Sequence, residues 1–187
     1  MSCVCAFFAN GMEEVEALTV VDLLRRAGVD VTTVSIHETT EIQSAHGIRI
    51  HGDRILDEVE DFQRFDMILL PGGAGGTDNL EANEKVRDVI ESFAEQGKKI
   101  AAICAAPRIL GRMGLLRGKR ATSYPSVMNL LDGADVTENS VETDGNITTS
   151  RGVGTAIDMG LELIRILCGQ EQSEEIRQSI VYKGKIN

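Results

Sequence analysis

One cysteine in this chain stands where a nucleophile would stand. Ile100-Ala101-Ala102-Ile103 reads as a short strand buried on both faces, Cys104 ends it, and Ala105-Ala106-Pro107 leads into a helical pattern over Arg108 to Leu116. A thiol where a buried strand breaks into a helix lies at the rim of a sheet. It also faces the partial positive charge of a helix N-terminus, which favours thiolate. This is the placement of a nucleophile elbow without the Gly-x-Ser-x-Gly spelling; taken alone, the stretch reads more readily as an ordinary packed cysteine. A candidate partner lies early in the chain. Glu13, Glu14 and Glu16 open a helix, where carboxylates are favoured by the dipole. Glu16, one turn in, could lean over the strand ends towards Cys104. Beside a thiolate it would keep its proton and donate a hydrogen bond to sulfur, because two adjacent anions are unfavourable.

These side chains need a scaffold, and the rest of the sequence supplies one. Val4 to Ala9 is an apolar run expected as the first, central strand. Glu13 to Ala27 is helical, with Val15, Leu18, Val21, Leu24 and Ala27 recurring on one face, and Gly28 ends it. Val29 to Ile36 is β-branched and strand-like. Glu41 to Ser44 and Ile48 to His51 form a hairpin about Ala45-His46-Gly47, and Leu56 to Phe62 is a turn or short helix. Met67 to Leu70 is a buried strand closed by a glycine-rich loop, Gly72 to Gly76, and Glu84 to Gln96 is the next helix. After the elbow come a short strand (Arg120 to Ser123), a helical turn (Pro125 to Leu131), Ala134 to Val136, and a hairpin from Asn139 to Thr149 turning at Asp144-Gly145-Asn146. Thr155 to Leu167 and Ser173 to Ile180 are the last helices. Buried strands alternating with amphipathic helices predict an α/β domain over residues 1–187, with a mostly parallel, doubly wound sheet sandwiched by helices.

In such sheets ligands bind beyond the carboxyl ends of the strands. Asn10 to Glu16, Gly72 to Thr77, Cys104 to Ala106 and Tyr124-Pro125 should therefore meet in one crevice. Gly72 to Gly76 lacks a Gly-Lys-Ser/Thr ending, so it is no Walker loop. The acidic first turn would repel a dinucleotide pyrophosphate. The loop reads either as a tight connection or as a nest of amides for an oxyanion.

Composition narrows the classes further. The 187 residues are 42% hydrophobic and 26% charged, as in a globular protein, and the net charge of -10 argues against binding a phosphate backbone. No apolar run is long enough to span a membrane, and Met1-Ser2-Cys3 enters a strand without a basic flank, so a cytoplasmic protein is expected. Cys3, Cys5, Cys104 and Cys168 form no Cys-x-x-Cys pair and lie far from His37, His46 and His51, so no metal site is expected. Cys3 and Cys5, two apart on a strand, should share a face and simply pack. Cys168 has no assigned role.

Ile103-Cys104-Ala105-Ala106-Pro107, Ala9-Asn10-Gly11-Met12-Glu13-Glu14-Val15-Glu16, Leu70-Pro71-Gly72-Gly73 and Thr149-Ser150-Arg151-Gly152 together resemble the DJ-1/PfpI (ThiJ) family, nearer its DJ-1 branch. The resemblance implies a flavodoxin-like fold and a homodimer, with Arg26 and His46 near the interface. It implies a reactive, easily oxidised Cys104, a protonated Glu16 against it, and oxyanion-binding amides at Gly73 and Ala105. Gly72 and Tyr124 would complete the pocket. Ala105 follows the cysteine where the family's proteases place a histidine, and Tyr124 stands where DJ-1 itself has one, so a Cys–His protease is not expected. The activity implied is a cofactor-independent glyoxalase or protein deglycase, acting on methylglyoxal-like dicarbonyls or their glycated adducts. The alternative is an oxidative-stress sensor or redox-activated chaperone that works through oxidation of Cys104 to sulfinate. No cofactor, metal or membrane partner is expected.

Overall fold

Alternation along the buried strands decides the architecture. The computed structural model describes residues 1–184. In chain order the elements are β1 (Cys3–Phe8), α1 (Glu14–Arg26), β2 (Asp30–Ser35), β3 (Glu41–Gln43), β4 (Arg49–His51), β5 (Arg54–Ile55), β6 (Met67–Leu70), α2 (Ala74–Ala82) and α3 (Glu84–Glu95). They continue as β7 (Lys99–Ile103), α4 (Pro107–Arg112), β8 (Arg120–Ala121), β9 (Asp135–Val136), β10 (Val141–Asp144), β11 (Ile147–Ser150), α5 (Ala156–Cys168) and α6 (Gln170–Ser179). Side chains on a strand point alternately to its two faces. Val4, Ala6, Phe8, Met67, Leu69, Ala101 and Ile103 therefore pack in one core with α1, α5 and α6. Phe7, Ile68, Leu70, Ile100 and Ala102 pack in a second core with α3 and α4. Cys5 belongs to that second core and Cys3 lies against it, so the pair does share a face.

The main sheet runs β10-β11-β7-β6-β1-β2-β5, and only the β10–β11 pair in it is antiparallel. Its five principal parallel strands take the order β2-β1-β6-β7-β11. This is the flavodoxin-like, doubly wound arrangement, whose switch point lies between β1 and β6. Among the described residues no helix is long and apolar enough to cross a membrane.

Several expectations change. β6, rather than β1, is the middle strand of the sheet. The glycine-rich stretch is only partly loop, because α2 begins at Ala74 and takes in Gly75 and Gly76. Glycine's poor helix propensity hid that helix, and a Cβ at Gly76 would collide with Met12, so the glycine is needed for close approach. The helix after the elbow is shorter than its pattern and stops at Arg112. On α1 the inward stripe is Glu16, Ala17, Val20, Val21, Leu23 and Leu24, while Val15 and Leu18 are 46% and 42% exposed. The helix is rotated because it packs on α5 as well as on the sheet, with Gly160 leaving room for Leu23.

Candidate active site

Five segments, those that follow β1, β6, β7, β8 and β11, build one cleft. Beyond β1 the chain turns through Gly11, and Glu13 caps α1 by accepting the Val15 N–H, which sets Glu16 in the first turn. Beyond β6, the Gly72 carbonyl accepts the Glu13 N–H at 3.0 Å, stitching the two strand ends together. Gly73 has a left-handed φ of 87°, and a Cβ there would strike Gly11 and Glu13, so only glycine allows this approach. Beyond β7, Cys104 itself sits at φ 63°. A non-glycine residue in that region carries about 1 kcal/mol or more of strain, which surrounding structure must hold. Two bonds do so: Cys104 N–H donates to the Ser150 carbonyl, and Tyr124 N–H donates to the Cys104 carbonyl, both at 2.9 Å.

The cleft, about 570 Å³, is lined by Glu13, Glu16, Gly73, Cys104, Tyr124 and Pro125, and by Arg151 to Thr155. The four segments expected to meet do meet. The fifth wall, beyond β11, was not anticipated, because the hairpin pattern obscured that β11 also ends at the same sheet edge. Thr155 organises this wall: its hydroxyl accepts the Arg151 and Gly152 amides at 3.2 and 3.1 Å. A Cβ on Gly152 would lie 3.5 Å from Glu16 Oε1, 3.5 Å from Tyr124 Cδ2 and 3.9 Å from Cys104 Sγ, so the acid, the phenol ring and the sulfur converge at this glycine. A larger hollow of about 900 Å³ lies beside β2 and β5, but its lining includes Arg25 already paired with Asp53 and no cysteine.

Glu16 is 1% exposed, and burial pushes its carboxyl up to about 7. Among the described residues its buried Oε2 has no hydrogen-bond partner, while the Gly72 and Val153 amides near the carboxyl favour its charged form. Burial, and then the Glu16 carboxylate and its hydrogen bond, push the Cys104 thiol up to about 12; the Gly73 and Ala105 amides pull the other way. The expected lowering by a helix N-terminus does not dominate, since α4 begins only at Pro107 and is six residues long. Two acids in contact titrate as a unit. The pair loses one proton near neutrality and the second only in strong base, so in between it carries one negative charge and one shared proton.

The two amides are held in register from behind. Arg108, in the first turn of α4, hydrogen-bonds Asp78 and places Nε 3.5 Å from Glu81; Arg112, one turn on, donates to both Glu81 oxygens at 2.7 and 2.8 Å. Both acids lie on α2, so the helix after Gly73 and the helix after Ala105 are tied side by side. At the rim, His46 Nδ1 lies 3.0 Å from Glu14 Oε1 and 3.4 Å from Glu13 Oε2. Arg26 pairs with Asp22 and does not line the cleft.

An α/β sheet with a strained cysteine elbow, an adjacent buried acid and converging amides defines a cysteine-centred site at a topological switch point. The chain belongs to the DJ-1/PfpI family, which matches residues 2–166. It is 38% identical over 178 residues to protein DJ-1 homolog A of Arabidopsis thaliana, covering 94% of this chain but 45% of that protein, so it spans about half the length of that relative. It is 32% identical over 161 residues to a protein named deglycase from Pyrococcus abyssi, covering 85% of this chain and 95% of that one. The structure of oxidized DJ-1 from Toxoplasma gondii superposes with a TM-score of 0.94 at 32% identity, over 98% of this chain and all of that one.

Proposed function

We propose that this chain is a cysteine-dependent, cofactor-independent enzyme of the glyoxalase or protein deglycase type, acting on methylglyoxal-like dicarbonyls or their adducts. One observation carries the proposal: Cys104, strained at φ 63°, shares an open cleft with a buried Glu16, and the Gly73 and Ala105 amides face its sulfur. Similarity to a protein named deglycase supports it.

Glu16, as carboxylate, takes the Cys104 proton as sulfur attacks the aldehyde carbon of methylglyoxal. The resulting oxyanion is met by the two amides and then receives that proton, giving a hemithioacetal. Glu16 next removes the hydrogen from the former aldehyde carbon and delivers it to the neighbouring carbon, leaving a thioester of lactate. Water cleaves the thioester, so methylglyoxal plus water becomes lactate and the thiol is restored. Among the described residues no histidine lines the cleft, and the proposal assigns the proton transfers to Glu16, the acid held against the sulfur, in preference to Tyr124 or water. Cys104→Ala should lower lactate formation about a thousandfold or more, measured by enzymatic lactate assay. Lactate formed at the wild-type rate would refute the proposal.

A second reading, an oxidative-stress sensor or redox-activated chaperone, is favoured by the state of the thiols. All four cysteines are free, and Cys5 is fully buried with its thiol raised by burial. A Cys104 without a resolving thiol would proceed to sulfinate instead of a disulfide. Intact and peptide mass spectra after limited peroxide should show two added oxygens on Cys104 first; equal oxidation of exposed Cys168 would count against this reading. The proposal also includes a homodimer in the cytoplasm; the exposed apolar side chains Val15, Leu18 and Val153 support the dimer.

A further inference from the structure

Among the described residues the cleft is lined by one cationic side chain, that of Arg151, and nothing in the reaction just described uses it. Its side chain is 21% exposed, and its one ion contact is Glu138 Oε2 at 3.7 Å, on a side chain that is 82% exposed. That separation exceeds hydrogen-bond reach, and among the described residues the guanidinium makes no side-chain hydrogen bond. Five N–H donors in a half-buried wall are thus available for a planar anion.

The acids of the cleft are differently placed. Glu13 accepts the Val15 amide and faces His46, and Glu16 is held against Cys104 with its carboxyl raised. The Arg151 main chain is also fixed close to the reacting sulfur. Its own N–H is held by Thr155, and its neighbour Gly152 lies against Glu16, Tyr124 and Cys104. An anion paired with Arg151 would therefore be held by the same wall of the cleft whose next residue, Gly152, lies beside the sulfur.

We propose that Arg151 forms an anion subsite and that the substrates this cleft prefers are 2-oxoaldehydes carrying a carboxylate. This rests on the glyoxalase-type reading for its turnover, but not for the subsite itself. A guanidinium–carboxylate pair is bidentate and charge-assisted, and its removal lowers affinity by about tenfold to a hundredfold.

Iodoacetate and iodoacetamide provide a matched pair of probes, one anionic and one neutral. In both, the Cys104 sulfur forms a bond to the methylene carbon, the carbon–iodine bond breaks, iodide leaves and the thiol proton passes to Glu16 and solvent. Rates at Cys104 are followed by peptide mass spectrometry, with glutathione as the reference thiol. The iodoacetate-to-iodoacetamide ratio should be about tenfold or more higher at Cys104 than at glutathione. Arg151→Met should bring the ratio down to the glutathione value, and Arg151→Lys should restore part of it. A ratio at Cys104 equal to that of glutathione, or unchanged in Arg151→Met, overturns the subsite. Turnover is then compared for 4,5-dioxopentanoate, which would give 2-hydroxyglutarate, and its neutral methyl ester. Preference for the carboxylate that disappears in Arg151→Met supports the substrate class, and equal turnover overturns it. If the alkylation preference holds but neither aldehyde is consumed, the substrate proposal and the glyoxalase reading fall while the anion subsite stands.

Discussion

Glu16→Gln is expected to stabilise the fold at neutral and mildly alkaline pH while it removes most of the reactivity of Cys104. The folded chain holds the Glu16 carboxyl at about 7, against about 4.5 for an unperturbed glutamate. Ionising it therefore costs the native state. That penalty is absent below the unfolded value, grows as pH rises between 4.5 and 7, and is complete above 7. At full extent it is about 3 kcal/mol, and glutamine, with the same shape and no charge, removes it. Denaturant unfolding should thus show the variant more stable than the wild type by a few kcal/mol at pH 8 and no more stable at pH 4. Over the same neutral range the variant lacks the base that accepts the thiol proton, a loss of about a hundredfold or more in alkylation rate. A residue kept for packing alone would not couple a gain in stability to a loss in reactivity.

Gly72→Ala should damage both the fold and the site. A Cβ at this position would collide with Glu16 Oε2 and Cys104 Cβ and would lie 2.9 Å from the Ile103 carbonyl. Two of these neighbours cannot retreat: Ile103 is in β7, and Cys104 is pinned by bonds to Ser150 and Tyr124. Glu16 can yield only by leaving the sulfur. Overpacking of this kind costs about 1–3 kcal/mol, and the displaced carboxyl should reduce Cys104 alkylation at least about tenfold. The conversion of glycine to alanine at Gly75, outside the cleft lining and with only an ordinary 3.6 Å contact for a Cβ, is the matched control and should lower neither quantity. Equal behaviour of the two variants would contradict the packing described around the Glu16–Cys104 pair.

The alternation of buried strands and amphipathic helices made the sheet and its site edge legible from residue order. The burial of Val4 to Ala9, Met67 to Leu70 and Ile100 to Ile103 left few other folds available. Helix α2 was hidden because glycines chosen for close approach to Gly11 and Met12 also carry low helix propensity. The rotation of α1, which exposes Val15 and Leu18, depends on contact with α5 across the chain, and local periodicity contains no record of it. At the site, chain order brought Cys104, Glu16, Gly73 and Tyr124 to one edge. The direction of the thiol shift was not legible, because it follows from how completely Glu16 and Cys104 are withdrawn from water. The place of Arg151 in the cleft was likewise not legible, since it depends on Thr155 drawing in the chain beyond β11.

The central claim is that Cys104 and Glu16 share one proton above neutrality and that this shared proton makes the sulfur reactive. The pH dependence of Cys104 alkylation by iodoacetamide tests it directly in the wild type and in Glu16→Gln. The wild-type rate should rise through a midpoint near pH 7, where the pair loses its first proton, and the rise should vanish from that range in the variant. A wild-type rate that stays low through neutrality and increases only in the range of an ordinary or buried thiol, with the same profile in Glu16→Gln, would contradict the account.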